Sequence, residues 1–414
     1  MVNMLPPIKK NSGYELSAVL VLFIVFFISD DTLTFGTNIN QVFILGKYLI
    51  YTIASIVLFV SLNFGKKIAL YSEREIAIII LLFASFALTV FYNVDFRTGY
   101  FLQFVTLVLS ILIVKFLDFS KFIQYYQKGL YLLSVISIIV FVLVYLVPGI
   151  VAVFPTTVNF GGTEFGNLFI CAVFKDMSFL RNTSIFREPG VYMIYLLFGI
   201  IIEFFFKGVP NRKYLITYII TLITTFSTSG IAVLGILAIG YMFNVNKFKV
   251  YLFVSAFIGI IAVSLVAIPG LSEQFFSKLS ADSSDYASTL ARLSSFSVPF
   301  LIFLNNPLFG AGLSNFVNLY SLYSIQLFGI FIDPESASTN TIVNTFAIFG
   351  ITYGVLMMYS FLRLSKQLGK LMWPKAVIFV SFLMMFSSQE MRYSLFLNIL
   401  IMYGLLNRNI FRAS

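Results

Sequence analysis

A pair of opposite charges stands where a long apolar segment begins. Arg187 and Glu188 are followed by Pro189 and Gly190, and then by mostly apolar residues up to position 206. An arginine stays charged at any relevant pH and can bind phosphate oxygens through two N–H groups at once. The pattern predicts a site for an anionic group. Two alternatives are an arginine that extends to lipid headgroups and one that pairs with Glu188.

The composition indicates the class of protein that carries this pair. Of 414 residues, 59% are hydrophobic and 11% are charged, and the mean hydropathy is +0.96. Apolar stretches long enough to cross about 30 Å of hydrocarbon recur along the whole chain. Because backbone groups inside lipid must satisfy their own hydrogen bonds, these stretches predict helices. We therefore expect an all-α, polytopic integral membrane protein that forms one domain over residues 1–414.

The apolar stretches predict about twelve transmembrane helices, with both termini on the same side of the membrane. The first stretch follows Lys9 and Lys10 and resembles a signal peptide, but no small-residue cleavage site follows it, so we expect a retained span. The predicted spans are 14–29, 41–62, 75–92, 99–117, 129–147, 189–206, 213–228, 230–244, 249–268, 339–362, 375–388 and 393–407.

The basic residues predict the orientation of these spans. Most of the 27 Lys and Arg residues fall on one side, which the positive-inside rule assigns to the cytoplasm together with both termini. Lys47 lies within a span. The basic residues on the outer side are Arg97, Lys175, Arg181, Arg187, Lys278, Arg292 and Arg392. Two large outward-facing loops follow from this topology, at about 148–188 and 269–338, and we expect short helices in them.

Several classes of chemistry are disfavoured. The chain has no His, and its single cysteine, Cys171, excludes an intramolecular disulfide. The outer carboxylates lack a spacing typical of metal ligands, so no metal or other cofactor is expected. The net charge of +10 is spread over helix ends and forms no basic domain, which argues against nucleic acid as a partner.

Four motifs, in order along the chain, resemble bacterial O-antigen and capsule polymerases, the Wzy class of the O-antigen polymerase and ligase superfamily. They are "FREPG" (Phe186–Gly190), "FSTSG" (Phe226–Gly230), "ARLSSFSVPFLIFLNNPLFGAGLSNF" (Ala291–Phe316) and "STNTIVNTFAIFGITYG" (Ser338–Gly354). The resemblance covers roughly residues 180–360, and the first 150 residues agree only in topology. "FSTSG" is either a broken helix that lines a polar cavity or ordinary small-residue packing.

The resemblance implies a metal-independent glycosyltransferase at the periplasmic face of the bacterial inner membrane. Its donor would be a growing glycan on undecaprenyl pyrophosphate, and its acceptor a hydroxyl at the non-reducing end of a lipid-linked repeat unit. Membrane lipid and a chain-length regulator protein are further candidate partners. The product would belong to lipopolysaccharide, capsule or another surface polysaccharide.

The same resemblance assigns roles to individual residues. Arg187 and Arg292 would stabilise the charge that builds on the departing pyrophosphate. Candidates for substrate binding are Arg181 at the acceptor's pyrophosphate or sugars, Tyr192 at a sugar, Gly310 and Gly312 where the backbone would approach phosphate or sugar, and Asn340. The alternative for the two glycines is a plain loop turn.

One departure from the family pattern leaves the general base open. The ligase branch carries a His at the helix that follows the large second loop, and the corresponding position here is Thr339. This favours a polymerase over an O-antigen ligase that transfers to lipid A core. Glu188 is close to Arg187 in sequence, whereas Asp333 and Glu335 precede the helix with Asn340, and we favour Glu335. A lipid-linked oligosaccharide flippase is the alternative from another class.

Overall fold

The computed structural model describes residues 12–64, 72–176, 180–244 and 286–406, and the described chain is mainly helical. The helices in chain order are α1 Ser12–Phe27, α2 Leu33–Gly36, α3 Gln41–Phe64, α4 Glu73–Tyr92, α5 Thr98–Phe116, α6 Phe119–Leu146, α7 Pro189–Ile201, α8 Arg212–Thr224, α9 Thr228–Asn244, α10 Tyr286–Asn305, α11 Gly312–Phe328, α12 Pro334–Ala337, α13 Thr341–Leu368, α14 Met372–Ser387 and α15 Leu395–Leu406.

Many of these helices have the length and composition of membrane spans. Six described helices are long and apolar enough to cross a membrane, and five more are apolar but shorter. Helix α8, over the predicted span 213–228, is in neither group, and the predicted span 249–268 lies outside the described residues. The structure thus supports a helical membrane protein and leaves the number of twelve spans a prediction. The six long segments are Gln41–Asn63, Glu73–Tyr92, Thr98–Phe116, Phe119–Leu146, Pro189–Phe206 and Thr341–Leu368.

The chain divides into two compact units. The first unit comprises Met1–Glu75, Leu102–Ser227 and Tyr393–Ser414, and the second comprises Ile76–Phe101 and Thr228–Arg392. Arg187 therefore belongs to the first unit, whereas Arg292, Gly310, Gly312, Glu335 and Asn340 belong to the second. The single domain over 1–414 stays a prediction.

Helix α7 is the buried centre of the first unit. All of its residues are buried, and a turn of π-helix, Ile202–Phe206, continues it. It packs against α6 and α8, where Gly199 leaves room for Leu130 and for the ring of Tyr218; a Cβ at Gly199 would lie 2.7 Å from Leu130 Cδ2. A helix that is apolar on every side, as α7 is, belongs in such a position.

The first outward segment contains a short helix and, in addition, a small sheet that the sequence did not predict. A 3-10 helix of six residues, Pro148–Val153, leads into a small antiparallel sheet of β1 Thr156–Val158, β2 Glu164–Asn167 and β3 Ala172–Phe174. The strands are too short and too irregular in pattern for the sequence to reveal them. Apart from this small sheet, the described chain is mainly helical.

The described part of the second outward segment contains the short helix α12 and two longer helices, α10 and α11. Helix α10 is 20 residues long, its part Leu290–Asn305 is apolar, and α11 has 17 residues. The loop between them packs on α13 at Gly350, where φ is +77° and the helix is kinked. Ala311 N donates to Ala347 O over 2.8 Å, and Ile351 N donates to Pro307 O over 2.8 Å.

The glycines of this loop permit protein backbones to approach each other. Gly310 and Gly312 have φ of +69° and +72°, which glycine adopts without strain. A Cβ at Gly310 would lie 2.2 Å from Ile348 O, and one at Gly312 would lie 2.9 Å from the Tyr100 hydroxyl oxygen. The structure accounts for both glycines by packing within the second unit, which favours the loop-turn alternative over approach to phosphate or sugar.

Gly350→Ala should therefore destabilise the second unit. The positive φ and the 2.3 Å distance from an added Cβ to Leu308 O predict a loss of about 2 kcal/mol or more. Thermal unfolding of the detergent-purified protein measures it. The matched control is Gly235→Ala in α9, where an added Cβ meets nothing within 4 Å and helix propensity favours alanine. Equal midpoints for both variants would contradict the account of the kink.

Candidate functional site

Arg187 lies two residues before the start of α7. The helix begins at Pro189, as the proline predicts, with Glu188 as its extended N-cap residue. Arg187 therefore precedes the helix, whose start agrees with the predicted span 189–206. Glu188 is exposed and Pro189 is buried. Arg187 is thus only two residues away from the N-terminus of α7, which is the positive end of the helix dipole.

A distant segment fixes the backbone of Arg187. Leu33 N donates to Ile185 O over 3.0 Å, Arg187 N donates to Asp31 O over 2.9 Å, and Thr32 and Phe186 form an antiparallel bridge. The residues that follow α1 thereby pair with those that precede α7. This pairing brings two carboxylates beside Arg187.

These carboxylates and two cations form a group that we call the Arg187 cluster: Asp30, Asp31, Lys47 and Arg187. Lys47 Nζ lies 2.6 Å from Asp30 Oδ1, and Arg187 Nη1 lies 3.8 Å from Asp30 Oδ2. The Lys47 side chain is 1% exposed, whereas those of Arg187 and Asp30 are 15% and 16% exposed. Asp30, and not Glu188, is thus the carboxylate that pairs with Arg187.

Asp31 occupies the buried end of the cluster. Its Oδ2 accepts hydrogen bonds from Tyr195 Oη, over 2.7 Å, and from Ser394 Oγ, while its Oδ1 has no hydrogen-bond partner among the described residues. Complete burial raises the pKa of Asp31 to about 6, and the nearby Arg187 opposes this shift. The cluster therefore contains a carboxyl group that titrates close to physiological pH.

Asp30, Asp31 and Lys47 were not among the candidate residues predicted from the sequence. Asp30 and Asp31 are adjacent acids directly after the first apolar run, and Lys47 is a charge within a predicted span. Such isolated charges in an apolar chain are a usable signal. Their proximity to Arg187 depends on pairing across about 150 residues of sequence, which no local pattern indicates.

The two other candidates in the first unit have structural contacts. Arg181 Nε donates to Thr225 O over 3.0 Å at the end of α8, an interaction that suits a cation at a helix C-terminus. Tyr192 is fully buried, stacks on Phe186 and shares hydrogen bonds with Ser137 and Ser134. These contacts give Tyr192 a packing role, and contact of either residue with substrate stays a prediction.

The predicted break at "FSTSG" is present in the chain. Helix α8 ends at Thr224 and α9 begins at Thr228, and Phe226 between them has a positive φ of 49°. Asn182 N donates to Thr224 O over 3.0 Å. The end of α8 thus helps to hold the segment that leads to Arg187.

The second unit contains the remaining candidates. Arg292 lies on α10 with an exposed side chain, so the buried and dry setting that would make its charge most effective is not seen among the described residues. The backbone of Glu335 lies in α12, but its side chain is outside what the structure describes. Asn340 is the N-cap of α13, and its side chain accepts a hydrogen bond from Val343 N over 3.1 Å.

A polar group that the sequence did not single out lies beside the start of α13. We call Asn344, Glu390 and Arg392 the Glu390 cluster. Asn344 Nδ2 donates to Glu390 Oε2, and Arg392 N donates to Glu390 Oε1 over 2.9 Å. The Arg392 side chain also pairs with Glu390, with 3.9 Å between Nε and Oε1. The Glu390 cluster is therefore a second candidate polar site, next to the start of α13.

Comparison with known proteins does not identify a family: no family model matches the chain, and no curated protein matches its sequence significantly. Among the residues that the structure describes, no group of three or more His, Cys, Asp or Glu side chains could hold a metal ion. The two polar clusters are therefore interpreted from their own chemistry.

Asp30→Asn should destabilise the protein because it leaves the buried Lys47 charge without its carboxylate. Breaking one partner of a buried pair costs about 3–5 kcal/mol. Lys47→Met should have a similar effect, and the double variant should lose less than the sum of the two single variants. Thermal midpoints of the purified variants test this coupling. Simple additivity of the two losses would contradict it.

Asp31 should make stability fall as pH rises. The folded-state pKa of about 6 lies above the ordinary value of 3.8, so the native state binds the extra proton and loses stability between about pH 4 and 6. The shift corresponds to about 3 kcal/mol. Asp31→Asn should flatten this part of the profile of melting temperature against pH. If melting temperature fell equally steeply with pH in Asp31→Asn, Asp31 would not be the origin of the pH dependence.

Proposed function

We propose that this protein is a polysaccharide polymerase that transfers a growing glycan from undecaprenyl pyrophosphate to a lipid-linked repeat unit. One observation carries the proposal: Arg187, partly exposed, lies at the N-terminus of the buried helix α7 and is held there by Asp30. A lipid pyrophosphate carries its negative charge at the membrane surface. A fixed arginine beside a helix N-terminus is suited to that charge.

For this glycosyl transfer the protein must position the two substrates, accept a proton and stabilise the charge on the leaving group. The acceptor hydroxyl attacks the anomeric carbon of the donor glycan, and the bond from that carbon to the pyrophosphate oxygen breaks. The electron pair leaves with the undecaprenyl pyrophosphate, and the hydroxyl proton passes to a base. Arg187 stabilises the negative charge on the leaving group. The family resemblance assigns Arg292 the same role.

The cluster around Arg187 fits this task because it limits the motion of the guanidinium. Asp30 is shared between Arg187 and the buried Lys47, and the Asp31 backbone accepts the Arg187 amide. Preorganised charges of this kind need no rearrangement when charge develops in the transition state. We propose that this end of α7 faces the periplasm of a bacterial inner membrane and that both termini are cytoplasmic.

A second candidate is a proton-coupled flippase for the same lipid-linked oligosaccharide. The observation in its favour is Asp31, since a buried carboxyl with a pKa of about 6 can gain and lose a proton near neutrality. Glu203, another buried charge, is engaged instead by Gln127, Lys207 and the Asn211 amide. The two candidates differ in what a deletion strain accumulates.

Arg187→Ala and Arg292→Ala should each abolish long chains in a deletion strain, while the protein still accumulates in the membrane. Loss of the Arg187 contact to the leaving group costs about 2.7–4 kcal/mol, or roughly 10²–10³ in rate. Arg187→Lys should also be poor, because an ammonium cannot bind phosphate in a bidentate manner. A gel of the surface glycan, beside a membrane immunoblot, measures both quantities.

The matched control is Arg212→Ala, an exposed arginine at the start of α8 on the predicted cytoplasmic side, which should leave chain lengths normal. In the deletion strain itself, a core with a single repeat unit supports the polymerase. Unattached long polymer would indicate a ligase, and absence of any external repeat unit would indicate the flippase. Normal chains in either arginine variant would remove that residue from the mechanism.

A further inference from the structure

The loop between α14 and α15 is anchored to the start of α13. Thr341 Oγ1 donates to Gln389 O over 2.5 Å, and Met391 N donates to Thr341 Oγ1 over 2.7 Å. Thr341 is fully buried. One hydroxyl group therefore fixes the backbone on both sides of Glu390.

The side chain of Glu390 is held but remains accessible. Asn344 donates to one of its oxygens, and Arg392 approaches the other through its amide and its guanidinium. The Glu390 side chain is 24% exposed, whereas Asn344 is fully buried. The Glu390 carboxylate is therefore partly exposed, while hydrogen bonds to Thr341 hold the backbone on both sides of it.

The cluster has hydrogen-bond acceptors to offer a ligand. Asn344 Oδ1 is buried and has no hydrogen-bond partner among the described residues. A buried acceptor of this kind is costly unless a donor reaches it. Together with the partly exposed Glu390 carboxylate, it suits a ligand rich in hydroxyl groups.

Other described acids of the second unit are less suited to receive a proton from a ligand. Asp95 is buried, and its Oδ2 accepts hydrogen bonds from Ser314 N over 2.7 Å and from Tyr100 Oη over 3.2 Å, so it caps α11. Asp333 is exposed and directly precedes α12, so its environment does not fix its carboxylate as that of Glu390 is fixed. Glu390 combines a fixed position, partial burial and an adjacent acceptor.

We propose that Glu390 is the general base that binds and deprotonates the acceptor hydroxyl, with Asn344 accepting a neighbouring sugar hydroxyl. This inference rests on the proposed polymerase function. As the acceptor oxygen forms its bond to the anomeric carbon, its proton moves to the Glu390 carboxylate, and the pyrophosphate leaves with the electrons of the broken bond. Arg392 positions the Glu390 carboxylate.

The test is transfer by the full chain in liposomes. The substrate is the undecaprenyl-pyrophosphate-linked repeat unit extracted from the deletion strain, and the readout is product per unit time as its concentration varies. Glu390→Gln keeps the size of the side chain and removes the basic oxygen pair. A general base contributes about 10²- to 10⁴-fold, so kcat should fall by that factor while KM stays near the wild-type value.

The matched control is Glu164→Gln on β2, an exposed acid of the outward sheet that should retain full activity. Glu390→Asp keeps the charge with one methylene fewer, so it should retain more activity than Glu390→Gln per folded molecule. Melting temperature and size-exclusion profiles give the folded fraction. Equal losses in both variants that follow the folded fraction would assign Glu390 a structural role and overturn the proposal.

The two proposals fail in different ways. If the wild-type protein makes polymer and Glu390→Gln makes it at a comparable kcat, the assignment of the base is wrong and the polymerase stands. If the wild-type protein makes no polymer from the lipid-linked repeat unit, the polymerase proposal fails and the role of Glu390 fails with it.

Discussion

The ion pairs of Asp30 with Lys47 and Arg187 are the constraint on which the first unit depends. A charge in an apolar helix bundle is costly unless an opposite charge lies beside it, and Lys47 is 1% exposed. Asp30 must therefore stay at the end of α1, close to α3. The backbone bridge from Thr32 to Phe186 then fixes where the chain enters α7. The position of Arg187 follows from these contacts.

Local sequence signals predicted what depends on local chemistry. Pro189 correctly indicates the first turn of α7, and the polar residues after position 224 correctly indicate a break between helices. The partners of the candidate residues could not be predicted in this way. Asp30 contacts Arg187 across 157 positions of numbering, and Gly310 has a positive φ because the backbone of Ile348 lies against it. Both features arise from contacts between residues that are far apart in the sequence.

Tertiary packing also gives two of the candidate residues structural contacts that the sequence did not indicate. Asn340 has the residue type of an N-cap and accepts a backbone hydrogen bond at the start of α13, while Tyr192 is buried by the helices around α7. Polar side chains at helix ends serve the unpaired backbone groups there first. Glu390 was missed because its loop carries no motif, and its partner Asn344 lies 46 positions earlier in the chain.

The proposed function depends on binding of the pyrophosphate of a membrane lipid by Arg187. Its most direct test is binding of undecaprenyl pyrophosphate to the purified protein by native mass spectrometry, for the wild type, Arg187→Ala and the control Arg212→Ala. Arg187→Ala is expected to bind at least about tenfold more weakly, a loss of about 1.4 kcal/mol, whereas Arg212→Ala should bind like the wild type. Equal binding by all three proteins would contradict it.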